Sequence, residues 1–220
     1  MRGAEIEPSL YAADFLRLGE QLERLLEAGA RVFHFDVGDG HFVPPVTIGP
    51  VVLRSIARPV HERGGVLDCH LMVDDPVHHF REIAESGGDS VTFHVEVADD
   101  AGAVIAAARE LGLGAGVACN PGTPVERLAA AADGADLALC MSIEPGYSGQ
   151  AFMPEALGRL ERLRALLPDH VHVQVDGGIG RDNVAAARAA GANLLVAGTA
   201  VFGPDDVGAA YRELAAAVSP

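Results

Sequence analysis

The chain has 220 residues, 49% of them apolar, and a formal net charge of −15 at pH 7. That length suits one domain with a sizeable core, and so acidic a surface repels the phosphate backbone of nucleic acid, which excludes it as a partner. No apolar run reaches the length of a membrane span, which excludes a membrane partner. MRGAEIEPSL at the N-terminus lacks the apolar stretch of a signal peptide, so the expected compartment is the cytoplasm.

Eight short β-branched or apolar runs alternate with eight helix-like runs. The first strand is expected near 4–10. FLRLGEQLERLLEAG (15–29) follows, with Leu16, Leu18, Leu22, Leu25 and Leu26 at helical spacing and Gly29 as the stop. The second strand (31–37) ends His34-Phe35-Asp36, and the third (66–73) carries Asp68, His70 and Met72 on one face. The fourth (90–96) ends with His94 and Glu96, which either line a pocket or hydrogen-bond each other. After the fifth (114–120), Thr123-Pro124 predicts an N-cap and a first-turn proline. The sixth (137–143) runs into Gly146-Tyr147-Ser148-Gly149. The seventh (171–176) ends Asp176-Gly177-Gly178, and the eighth (193–198) ends at Gly198-Thr199. His170 and His172 stand where the seventh strand begins and are expected to be structural. His61, His78 and His79 fall in polar helix-like segments and are expected to be solvated. Cys69, Cys119 and Cys140 lie in strand-like runs without a CxxC pair, which predicts buried free thiols.

Before the next strand, EAGARV (27–32), ESGGDSV (85–91) and AAGANLL (189–195) repeat one phrase, as repeated βα units would. Strands joined by helices are parallel with right-handed crossovers. Eight such units predict a single (β/α)8 barrel domain over residues 1–220, with a flavodoxin-like open sheet as the alternative. Active sites of such barrels sit where strands run into their following loops. Side-chain alternation turns His34 and Asp36 the same way, so both can meet His70 and Asp176 across the interior. Two imidazoles and two carboxylates suit one divalent ion: zinc, manganese, cobalt or iron. Asp68 is a candidate supporting partner deeper in the barrel. The glycine-rich loops after strands six, seven and eight carry no lysine. They predict phosphate binding by backbone N–H groups, which an acidic molecule needs if it is to hold an anion.

PSLYAADF (8–15), HFDVGDGHFVP (34–44), LDCHLMV (67–73), NPGTPVE (120–126), MSIEPGYSGQAF (141–152), VDGGI (175–179) and VAGTAVFG (196–203) together resemble the ribulose-phosphate 3-epimerase family along nearly the whole chain. The resemblance implies a metal-dependent isomerase of the pentose phosphate pathway. Such an enzyme interconverts D-ribulose 5-phosphate and D-xylulose 5-phosphate through an enediolate, and it forms homo-oligomers. It implies His34, Asp36, His70 and Asp176 as metal ligands, with Asp36 and Asp176 also the two acid/base groups. Ser9, His70, Met72 and Met141 would contact the substrate, and Gly146, Tyr147, Ser148, Gly149, Gly177, Gly178, Gly198 and Thr199 would hold its phosphate. Four positions depart from the family pattern. Gly38 stands where a methionine is usual and is expected to leave extra space and a more flexible loop. Glu144 replaces Asn or Asp, and Tyr147 and Ser148 replace Phe and Gly. These departures leave two alternatives: a paralogue epimerising another ketose phosphate such as D-allulose 6-phosphate, and a catalytically silent sugar-phosphate binder.

Overall fold

The computed structural model describes residues 3–219. Eight strands form one parallel sheet: β1 (Glu5–Pro8), β2 (Val32–Gly38), β3 (Val66–Met72), β4 (Ser90–His94), β5 (Gly114–Cys119), β6 (Leu137–Met141), β7 (His172–Asp176) and β8 (Leu194–Ala197). Ladders run in the order β1-β8-β7-β6-β5-β4-β3-β2. A single parallel bridge, Ser9 to His34, joins β1 to β2 and closes the barrel. Every expected strand is present, within one or two residues of its expected bounds.

Helices α1 (Leu18–Ala28), α2 (Pro50–Glu62), α3 (Pro76–Ser86), α4 (Ala101–Glu110), α5 (Val125–Ala131), α6 (Ala156–Leu166) and α7 (Val184–Ala189) each follow their strand. Two, the short α8 (Thr199–Phe202) and α9 (Val207–Val218), follow β8. Gly29, Gly87 and Gly191 all have positive φ where the repeated phrase ends a helix.

Two expectations about helix starts are corrected. Leu16 is outside α1 and 98% exposed. Asp14 accepts hydrogen bonds from the Leu16 and Arg17 N–H groups, making a turn that delays the helix to Leu18. Thr123 does not cap α5, because its hydroxyl donates to Glu96 and Pro124 takes the cap position.

Alternation along the strands divides the buried residues into two sets. Phe33, Phe35, Leu67, Leu71, Val91, Phe93, Val173 and Val175 face outward and pack under the helices. Cys69, Cys119 and Cys140 lie in that same outer layer as buried free thiols. Inside the barrel, Ala118, Leu137, Leu139 and Met141 form a small apolar cluster. The other side of the interior is polar: Glu7, His34, Asp36, Asp68, His70, Thr92, His94 and Gln174 are all buried. Polar residues at such depth need partners, and their pairing shapes the site.

Candidate active site

His34 and Asp36 on β2, His70 on β3 and Asp176 at the end of β7 converge at the C-terminal mouth. Their donor atoms all lie within 4.8 Å of one another. His34 Nε2 is 3.2 Å from Asp36 Oδ1, and His70 Nδ1 is 3.3 Å from the same oxygen and 4.0 Å from Asp176 Oδ2. Neither ring nitrogen of His34 makes a hydrogen bond, although the residue is fully buried. Unpartnered nitrogen beside clustered carboxylate oxygen, out of water, fits a divalent-ion site.

The two aspartates are pushed apart in proton affinity. Burial raises Asp36, but His34 and His70 outweigh it and hold this carboxyl well below the usual range. Burial and the neighbouring Asp36 charge push Asp176 up to about 7. Two carboxyls this close oppose each other's ionisation, and their unequal histidine contacts drive their proton affinities in opposite directions. The oxygens of Asp36 are also differentiated. Oδ1 faces the two imidazoles, while Oδ2 accepts a 2.7 Å hydrogen bond from Ser9 Oγ at the edge of the cleft.

The cleft above them is lined by Ser9, Tyr11, Asp36, Met72, Met141, Ile143, Asp176 and Val196, and by the three glycine-rich loops. None of its lining residues is a lysine or arginine. Gly146, Gly149, Gly177 and Gly178 have positive φ. A Cβ at Gly177 would stand 2.4 Å from Ile143 Cγ1, and one at Gly178 would stand 2.5 Å from the Phe152 nitrogen. Both positions therefore require glycine for conformation and for space. Gln150 closes the loop after β6 by donating to the carbonyls of Glu144 and Tyr147. The Glu144 side chain is exposed and does not line the cleft, so its departure from the family pattern leaves the site unchanged.

Gly38 does not leave the expected space. A Cβ there would lie 2.9 Å from Val43 Cγ2 and 3.0 Å from both the Pro45 carbonyl oxygen and Thr47 Cγ2. The loop after β2 has closed onto the glycine and is tied in place. Gly38 N–H donates to Thr47 Oγ1 at 2.6 Å, and Thr47 Oγ1 donates to the Asp36 carbonyl at 2.7 Å. Asp39 accepts the N–H groups of His41, Phe42 and Asp74.

His94 and Glu96 form the internal pair. His94 Nδ1 is 3.3 Å from Glu96 Oε2, and the Asn120 N–H and the Thr123 hydroxyl donate to Glu96 Oε1. On its other side His94 Nε2 is 2.8 Å from His70 Nε2. With Nδ1–H of His94 given to Glu96, its Nε2 accepts from His70, which leaves His70 Nδ1 as a lone pair facing the aspartates. This contact was not foreseen, although His70 and His94 on neighbouring strands gave a signal. Tyr11 in the cleft and Glu7 beneath His34 were also missed. Asp68 stands as expected, with Oδ2 3.5 Å from His34 Nδ1.

The remaining histidines play no part in the site. His61 pairs with Asp89, and the rings of His78 and His79 pack together. His172 Nδ1 is 2.8 Å from Asn193 Nδ2 at the far end of the barrel.

A parallel barrel with two carboxyls and two imidazoles at its mouth, beside three glycine-rich loops, defines a (β/α)8 protein with one cleft at the C-terminal ends of its strands. Residues 5–202 match the model of the ribulose-phosphate 3 epimerase family, and the chain belongs to that family. Curated relatives include the ribulose-phosphate 3-epimerase of Candida glabrata, 40% identical over 91% of this chain and 87% of that protein. The cytoplasmic isoform from Oryza sativa is 40% identical over 96% and 93%, and the Escherichia coli K12 enzyme is 39% identical over 91% and 90%. Among solved structures, 3-hexulose-6-phosphate synthase from Salmonella typhimurium superposes with a TM-score of 0.73 at 16% identity, covering 97% of this chain and 98% of that one. That likeness is one of fold. Among the described residues no helix is long and apolar enough to cross a membrane.

Proposed function

We infer that the protein is an isomerase that interconverts D-ribulose 5-phosphate and D-xylulose 5-phosphate by moving the proton at C3. The observation that carries this reading is geometric: Asp36 and Asp176 meet at one cleft, with donor oxygens within 4.8 Å of each other and of the two imidazoles, beside the glycine-rich loops. Epimerisation beside a ketone takes a proton from one face of a carbon and returns one to the other. Two carboxyls that can each take or give a proton, one on either face, meet that requirement.

Asp36 Oδ2, released from Ser9, takes or gives the proton on one face, and Asp176 does so on the other. Ser9 Oγ is then free to hydrogen-bond a substrate oxygen. Met72, Met141 and Ile143 present apolar surface over the reacting carbons and exclude water. The phosphate is held by N–H groups of Gly177, Gly178, Gly198 and Thr199, closed over by Gly146 to Gly149, with the Ser148 hydroxyl as an added donor. His34, Asp36, His70 and Asp176 would hold one divalent ion, zinc, iron, manganese or cobalt. That ion supplies Lewis-acid compensation for the negative charge that develops on the ketone oxygen.

The closed loop over Gly38 removes the ground for a larger sugar such as D-allulose 6-phosphate. Asp36 and Asp176 both line the cleft, which argues against a silent binder. Proton NMR in D2O on protein supplied with each metal tests the reading. Exchange of the C3 proton of ribulose 5-phosphate is expected, and absence of exchange with all four metals overturns it.

A further inference from the structure

Beneath the four-residue cluster lies a polar assembly that the reaction does not use. Glu7 sits in the barrel interior on β1 with no exposed surface. Its Oε2 is 3.9 Å from His34 Nδ1, the nitrogen that faces away from Asp36. Asp68 Oδ2 approaches the same nitrogen from β3 at 3.5 Å. One amide links the two carboxyls: Gln174 Nε2, on β7, donates to Glu7 Oε2 and, at 2.8 Å, to Asp68 Oδ2. Ser90 Oγ donates to Asp68 Oδ1 at 2.6 Å and fixes its second oxygen. Carboxyls from two strands thus bracket His34 Nδ1, and a third strand latches them together. The depth of the assembly is costly, because Glu7 Oε1 and Gln174 Oε1 are buried without partners. Apolar residues fill the opposite side of the same interior, so packing alone does not call for a glutamate here.

We propose that Glu7 is a positioning residue: with Asp68, latched by Gln174, it holds the Nδ1 side of His34 and so aims and strengthens Nε2 as a metal donor. A ligating imidazole whose other nitrogen donates to a carboxylate is fixed in tautomer and made more basic. Asp68 Oδ2, 3.5 Å from Nδ1, is the carboxylate oxygen placed to become that partner when the ring is aimed at an ion. Glu7, 3.9 Å from the same nitrogen on the other flanking strand and tied to Asp68 through Gln174, closes the second side of that edge of the ring.

The proposal rests on reading His34, Asp36, His70 and Asp176 as a metal site, so the experiment separates the two. Intact protein, stripped of metal, is titrated with Co2+ alone against a chromophoric chelator, and the visible absorption of the bound ion is recorded. The parent, Glu7→Gln and Gln174→Met are compared, together with their melting temperatures without metal. Gln174→Met leaves both carboxyls in place and does not touch His34, so it carries the test if Glu7→Gln does not fold. The parent is expected to bind with a distinct spectrum. Both variants are expected to bind roughly 10–100-fold more weakly with a shifted spectrum, while KM for ribulose 5-phosphate at saturating metal stays near that of the parent. Variants that bind Co2+ as the parent does, with the same spectrum, overturn the proposal and leave the metal site standing, whatever their melting temperatures. A parent that binds no Co2+ overturns both.

Discussion

At the scale of single residues, the site depends on which protons are held and where. Asp176→Asn keeps the shape and removes one of the two proposed proton carriers. It should lower kcat by roughly 10²–10⁴-fold, as read by C3 proton exchange, with the melting temperature of the metal-free protein close to that of the parent by calorimetry. Glu96 offers a pH test. Burial raises its carboxyl, but His94, the Thr123 hydroxyl and the Asn120 N–H together hold it down at about 2. A folded value below the unfolded one, about 4.3, means that this stabilisation is complete above that pH and is lost as the pH falls towards 2. Glu96→Gln should therefore cost about 1 kcal/mol at pH 7, allowing for screening at a partly exposed group. In urea titrations the gap between the two proteins should narrow by pH 3. The ligand candidates were legible because strand parity puts His34 with Asp36 and strand ends mark the mouth of a barrel. Glu7 was not legible: a lone glutamate in Ile-Glu-Pro looks like a solvent-facing position, and only barrel closure shows that its face points inward.

At the scale of elements, the loops after β2 and β7 govern what the cleft admits. Gly38→Met must push Val43, the Pro45 carbonyl and Thr47 aside, and it disturbs the Thr47 hydroxyl that ties the loop to Asp36. A loss of about 1–3 kcal/mol in urea unfolding is expected; an unchanged or raised stability would show that the loop yields freely. Gly178→Ala meets both a φ of +64° and the Phe152 backbone. It should raise KM for the sugar phosphate at least tenfold while leaving weak turnover of unphosphorylated ribulose unchanged, because the damage is confined to anion binding. The sequence pattern carried the strands and the closing glycines of the helices. It misplaced Leu16 and Thr123 because side chains at element ends answer to local turns and distant partners: Asp14 in one case, Glu96 in the other. The room expected at Gly38 failed for a related reason, since a missing side chain says nothing about what moves in to replace it.

At the scale of the whole molecule, the chain is strongly acidic, and all 16 of its basic side chains are arginine. None of those among the described residues lines the cleft. On the proposed reading, a dianionic substrate would approach against the overall field and be captured by short-range donors, chiefly backbone N–H groups. Raising salt from about 10 mM to 150 mM screens that repulsion. It should raise kcat/KM severalfold, the reverse of the behaviour of a sugar-phosphate enzyme with a cationic funnel. The closed parallel architecture was legible from eight alternating runs, but the way it closes was not. The wall is continuous except between β1 and β2, where one Ser9–His34 bridge replaces a ladder. The candidate ligands stand on β2, β3 and β7, on either side of that seam. An ion gripped by them would work as a rivet, fastening the two sides of the least-stitched part of the wall. Chelation should then cost more than turnover: amide exchange should accelerate first along β1 and the neighbouring edge of β2, and the barrel should come apart from its own active site.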